Sequence, residues 1–213
     1  MIRKTKKATP PSPCFSREEQ QPTMIDKTVK FAKLKMKRPA GTPIPDFPLP
    51  DGFKYTFYQA GDEIHWARIE TSVGEFDSEF AALMRFKEDF SVFSELPRRC
   101  VFIENPDGEK VATATAWWAE IEGKRRAWVH WVSVDPSYQG LGLGKAISSK
   151  VLKIMCELEG DVDVYLSTQT WSHVAIFIYE KCGYEPTDEP LLYGKVYKGH
   201  YKKALKILEK IRR

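Results

Sequence analysis

The chain predicts a mixed α/β (α+β) domain, with a central, mostly antiparallel sheet and helices on both of its faces. Three observations lead there. The hydrophobic patterns run strand, two helices, three strands joined by tight turns, helix, strand, helix, strand. A glycine-rich loop joins the strand densest in β-branched and aromatic residues to a long amphipathic helix. With 213 residues, 42% hydrophobic and 13% aromatic, the chain can bury one sizeable core.

The elements follow in order. Residues 1–50 are rich in Lys, Pro, Ser and Thr and read as a basic extension, partly disordered, with a short helix expected over Ile25–Met36 before Arg38-Pro39. The domain is expected to occupy residues 51–213. Tyr55, Phe57 and Tyr58 suggest its first strand, and Gly61-Asp62-Glu63 opens a helix through Ile64, Ala67, Arg68 and Ile69. Asp77 or Ser78 caps a second helix running to Phe90. Cys100–Glu104 and Val111–Glu120 flank the turn Asn105-Pro106-Asp107-Gly108, and Glu122-Gly123-Lys124 leads into the strand Ala127–Val134. Beyond the glycine loop, a helix opens near Lys145, carries Ala146, Ile147, Val151, Ile154, Met155 and Leu158 at helical spacing, and ends at Gly160. A strand over Val162–Thr168 and a helix from Ser172 to Cys182 come next. Tyr184–Thr187 and Leu191–Tyr197 read as strands, and Tyr201–Ile211 as a basic-faced helix.

Composition excludes several classes. No apolar run approaches the roughly 20 residues needed to span a bilayer, and the basic start lacks the apolar stretch of a secretory signal. Cys14, Cys100, Cys156 and Cys182 show no metal-ligand rhythm, nor do His65, His130, His173 and His200, so no metal is expected. Reduced thiols in a cytoplasmic protein are the plain expectation. The first 40 residues carry about +8 and the stretch from Lys195 about +7, which leaves the body near −11. The basic ends lack the aromatic interleaving of a nucleic-acid module, so no nucleic-acid partner is expected.

The functional signal is the run from Val132 to Ala146. Asp135-Pro136 stops the strand, because proline removes a donor and disfavours helix before it. The glycine loop then feeds a helix N-terminus, whose unpaired N–H groups suit a phosphate. The glycines Gly140, Gly142 and Gly144 fall as G-x-G-x-G, the wrong register for a dinucleotide fingerprint. A nucleoside-triphosphate loop fails as well, since Gln139 stands where its first glycine belongs and Ala146 where its hydroxyl belongs. What remains, Gln139-x-x-Gly142-x-Gly144 preceded by Val134-Asp135-Pro136, resembles the pyrophosphate loop of the GNAT superfamily of acyl-CoA-dependent N-acetyltransferases. A second segment, Ala175-x-x-x-Tyr179-x-x-x-Gly183-Tyr184, resembles another motif of that family at the right spacing, with Tyr184 for its usual phenylalanine. The family often has asparagine where this chain has Ser172. The resemblance covers residues 52–187.

It implies a GNAT fold whose sheet splays at the strand before the glycine loop, and acetyl-CoA as cofactor. Val132, Ser133 and Val134 would pair with the pantetheine arm, a backbone N–H near Val132 facing the thioester oxygen. Gln139, Gly140, Leu141, Gly142, Leu143, Gly144, Lys145 and Ala146 would hold the pyrophosphate, with Ser172 and Ala175 as further contacts. Tyr179 would protonate the leaving thiolate, since a phenol with pKa near 10 is protonated at pH 7. His130 is the candidate base; strand alternation puts it on one face with Val132 and Val134 unless a bulge intervenes. Glu70, Glu75 and Asp77 are the alternatives. The expected activity is acetyl transfer to a primary amine by direct attack in a ternary complex, and the expected protein a monomer or homodimer. A protein acetyltransferase and an inactive CoA-binding sensor are the alternatives. The expected acceptor is a small-molecule amine. The acidic body favours a positively charged acceptor, such as a polyamine, an amino sugar or a lysine side chain, without choosing among them.

Overall fold

The computed structural model describes residues 25–189 and 199–212. Seven strands form one sheet in the order β2-β3-β4-β5-β6-β1-β7. They are β1 (Lys33–Arg38), β2 (Lys54–Phe57), β3 (Cys100–Glu104), β4 (Lys110–Ile121), β5 (Lys124–Val134), β6 (Val164–Gln169) and β7 (Glu185–Thr187). The helices are α1 (Glu63–Ser72), α2 (Glu79–Asp89), α3 (Leu96–Arg99), α4 (Leu143–Glu159), α5 (His173–Lys181) and α6 (His200–Ile211). All pairings are antiparallel except β5 with β6.

Each face of the sheet has its own core. On β4, Ala112, Ala114 and Ala116 point to one side and join a cluster with Leu143, Ile147 and Val151 of α4. Small side chains there let the helix lie close to the sheet. Trp117 and the buried Thr113 and Thr115 alternate to the other side. There, Cys100, Phe102 and Trp117 pack with Trp66 and Ile69 of α1 and Phe86 of α2. α2 is capped by Ser78, whose hydroxyl accepts from the Ala81 N–H at 3.2 Å. The turn at Asn105 is closed by its side chain, Oδ1 accepting from the amides of Asp107 and Glu109.

The helix expected over Ile25–Met36 is absent. Instead β1 lies between β6 and β7, inside the stretch read as an extension. Its period is two, not 3.6: Ala32, Leu34 and Met36 are fully buried, while Lys33, Lys35 and Lys37 face the opposite side of the sheet. The strand expected at Leu191–Tyr197 lies outside the described residues.

The sheet splays as expected. β5 and β6 pair over Ala127–Val129 and Val164–Leu166 only. Beyond that, β5 stays with β4 as far as Val134, while β6 stays with β1 as far as Gln169. The gap between them is the cleft described next.

Candidate active site

The cleft encloses about 770 Å³, and the glycine loop forms one end of it. The loop begins at Asp135, whose Oδ1 accepts from the Ser137 N–H at 3.0 Å and whose Oδ2 pairs with Arg68 at 3.0 Å. Gln139 folds back, its Nε2 donating to the Val134 carbonyl at 2.8 Å, and its Oε1 is buried without a partner among the described residues. Gly140 and Gly142 have φ of +82° and +89°. At Gly142 an added Cβ would meet nothing within 4 Å, so glycine serves the left-handed backbone there and leaves open space at the helix N-terminus. Gly144 has a different reason: its Cβ would come within 3.2 Å of Ile178 Cδ1, so its absence lets α4 approach α5.

The amides of Lys145 and Ala146 both donate to the Gly142 carbonyl at 3.1 Å. They are therefore helix bonds and not the free anion donors that the sequence suggested. The amides of residues 140–144 make no hydrogen bond to other described residues, and they carry the positive end of the 17-residue helix α4. This end of the cleft fits a pyrophosphate. Val132, Ser133, Val134, Gln139, Gly140, Gly142, Leu143, Gly144, Lys145, Ser172 and Ala175 all line the cleft. Leu141 is exposed instead and Ala146 is buried in the core. Ser172 makes no side-chain cap to α5; its hydroxyl lies 3.5 Å from Gln169 Nε2.

At the splay, Glu70, Glu75 and Tyr179 converge on the cleft. Glu70, in the last turn of α1, is fully buried. Its Oε2 accepts from Ser133 Oγ at 2.9 Å, and Oε1 has no partner among the described residues. Burial pushes this carboxyl up to about 8, the Ser133 hydrogen bond opposing and the Glu75 charge adding to the rise. Glu75 is also raised by burial, while its Oε1 accepts from Gln169 Nε2 at 3.1 Å. Tyr179 is held above the ordinary phenol range, first by burial and then by the charges of Glu70 and Glu75, so the phenol and both carboxyls share one electrostatic environment. Asp77 is exposed and lies outside the cleft.

His130 is not where alternation alone puts it. Thr115 pairs with His130 but Thr113 with Ser133, so β5 carries one extra residue, and Trp131 adopts φ +52°. The bulge shifts the parity: His130 shares a face with Ser133 and the α1 side, whereas Val132 and Val134 pack on the α4 side. Burial drives the imidazole down to about 4, so it is neutral across the physiological range. Its Nε2 is buried without a partner among the described residues.

Sequence reading missed the contributions of β1 and α2. Lys33 and Lys35 come from β1, and Arg85 and Asp89 from α2, and all four line the cleft. The alternating run Lys33-Leu34-Lys35-Met36-Lys37 was the available signal for the first pair. Nothing local marks the second. Among the described residues no cluster of His, Cys, Asp or Glu could hold a metal ion, and no helix is long and apolar enough to cross a membrane.

A mostly antiparallel sheet that opens beside a glycine loop at a helix N-terminus is the arrangement that the GNAT resemblance implied. The profile of the acetyltransferase (GNAT) family matches residues 61–184, and the chain belongs to that family. It is 27% identical over 156 residues to the mycothiol acetyltransferase of Salinispora tropica, covering 70% of this chain and 50% of that one. The chain thus spans about half the length of that curated relative. Among solved structures, it superposes on a GCN5-related N-acetyltransferase from Sphaerobacter thermophilus with a TM-score of 0.59 at 21% identity, over 75% of this chain and 49% of that one. A GNAT-family acetyltransferase from Colwellia psychrerythraea gives 0.57 at 13% identity, over 76% and 55%. These likenesses show the fold.

Proposed function

We propose that the protein transfers an acetyl group from acetyl-CoA to a primary amine, in a ternary complex and without a covalent enzyme intermediate. Acetyl-CoA supplies the thioester carbonyl; the chain supplies position, charge and proton transfer. The amides of residues 140–144 receive the pyrophosphate. The edge of β5 beyond Val129, which has no β6 partner, receives the pantetheine arm, with the Val132 amide near the thioester oxygen.

The observation that carries the reading is the buried carboxyl of Glu70 in the same cleft as Tyr179. A base poised near pH 8 suits removal of a proton from an ammonium, and Glu70 takes that role in place of His130. An imidazole held near 4 is a weak base at neutral pH. The amine nitrogen attacks the carbonyl carbon, the nitrogen's proton passes to Glu70, and the carbon–sulfur bond breaks. Tyr179 donates a hydrogen bond to the departing sulfur. Its pKa lies above the roughly 8.5 of an ordinary thiol, so the phenol stabilises the thiolate without surrendering its proton completely. Cys100 and Cys182 are fully buried, with thiols raised by burial, and are unsuited to act as nucleophiles.

The test is thiol release from acetyl-CoA with a panel of amines, with the acetylated product identified by mass. Acetyl-amine formed in proportion to thiol supports the proposal. CoA binding with no product from any amine would leave a binding protein and overturn it.

A further inference from the structure

The wall of the cleft beyond Glu70 differs in character. His130 lines it, packed against Phe90 with ring centroids 6.3 Å apart and with its buried Nε2 lacking a partner among the described residues. From α2 come Arg85 and Asp89; from β1, on the other side, comes Lys35. All three bear on the charge of His130, Asp89 favouring its protonation and Arg85 and Lys35 opposing it. Asp89 Oδ2 accepts from Trp131 Nε1 at 2.7 Å and pairs with Arg85 through Nε at 2.8 Å. Lys35 reaches over the Trp128 ring at 4.8 Å and donates from Nζ to Ser167 Oγ at 2.5 Å. Arg85, about half exposed, stands at the rim.

A buried imidazole nitrogen without a partner costs stability unless something completes its hydrogen bond. A second ammonium on the acceptor would meet Lys35 and Arg85, and a plain alkyl chain would leave the nitrogen unpaired. An anionic oxygen satisfies both, accepting from the imidazole N–H and lying between two cations. We infer that the acceptor carries an anionic oxygen group, a carboxylate or phosphate, beyond its reacting amine, received by His130 and Lys35 with Arg85 at the rim. The amine then lies toward Glu70 and Glu75. The acidic body of the chain attracts the ammonium, and this wall reads the other end. The inference rests on the amine acetyl transfer proposed above.

The experiment uses the full chain and matched acceptors. L-amino acids are compared with their amides and decarboxylated amines, and O-phosphoethanolamine with ethanolamine. Wild-type kcat/KM should be higher for the anionic member of the preferred pair, by about 10- to 100-fold, the worth of a charge-assisted hydrogen bond. Which pair is preferred distinguishes carboxylate from phosphate. In Lys35→Met, which keeps an apolar stem on Trp128, that ratio should fall to within a few-fold of unity, through KM rather than kcat. Lys35→Arg should restore it, and His130→Gln should reduce it with the acetyl-CoA KM unchanged. Neutral or decarboxylated amines turning over as well as their anionic partners would overturn the inference and leave acetyl transfer standing. No turnover of any amine would instead overturn the proposed function, and this inference with it.

Discussion

Ser133 Oγ lies 2.9 Å from Glu70 Oε2, and this contact joins β5 to α1, the strand proposed to receive the pantetheine arm to the helix that carries the proposed base. Ser133 sits on the α1 side of β5 only because the bulge after His130 reverses the strand's parity. A serine hydroxyl donating to the carboxylate favours its ionised form, but burial outweighs it and the carboxyl stays high. Ser133→Ala should therefore raise the Glu70 pKa further and move the activity profile to higher pH. A leftward shift would contradict this balance.

The same buried acid makes stability depend on pH. In the unfolded chain a glutamate ionises near 4.3, whereas in the fold Glu70 holds its proton up to about 8. Between those values the folded state binds more protons, so stability should fall as pH rises through the window, by up to about 1.4 kcal/mol per unit. Glu70→Gln removes that dependence. Its melting temperature should exceed the wild type's by more at pH 8.5 than at pH 5, as read by calorimetry at both values. An equal difference at both would mean Glu70 ionises normally in the fold.

Tyr179→Phe keeps the ring, which packs against Tyr184 at 6.0 Å, and removes only the hydroxyl. The loss should be about 100-fold in kcat, at the low end for general acid catalysis because a phenol above the thiol in pKa transfers its proton incompletely. Acetyl-CoA affinity should change little. A normal kcat would take Tyr179 out of the chemistry.

Gly142→Asp puts a carboxylate and an unfavourable left-handed backbone at the anion end of α4, where φ is +89°. CoA affinity by calorimetry should fall at least about tenfold. Gly142→Ala isolates the backbone, since its Cβ has open space, and should cost about 1 kcal/mol of stability.

β1 predicts a structural outcome. Leu34 and Met36 are fully buried between β6 and β7. Leu34→Ala should cost about 2–5 kcal/mol by thermal or denaturant unfolding, and deletion through Arg38 should abolish soluble, folded protein. A deletion variant with native near-ultraviolet circular dichroism would show that β1 is peripheral.

Most strands and helices were legible because their signals are local. The Cys100–Glu104 strand, the Asn105 turn and the Gly160 stop each rest on a few neighbouring residues. β1 was misread because lysines alternating with apolar residues in a basic, proline-rich stretch resemble a solvated tail, and only burial between distant strands distinguishes the two. The glycine loop and the helix it feeds were legible for the same local reason. Glu70 stood among the alternative bases, but its contact with Ser133 did not: the two are 63 residues apart, and their meeting depends on a bulge that no single residue type announces. His130 was visible as a strand residue near the glycine loop, but its face follows from the bulge and its neutral state from burial.

The most direct test of the account is the pH dependence of thiol release from acetyl-CoA with a turned-over amine, in wild type and in Glu70→Gln. The account predicts a wild-type kcat/KM that rises about tenfold per pH unit below a break near 8. The variant should be about 100- to 10,000-fold slower, with that break gone and acetyl-CoA binding intact. A Glu70→Gln enzyme with wild-type rate and an unchanged break would contradict it.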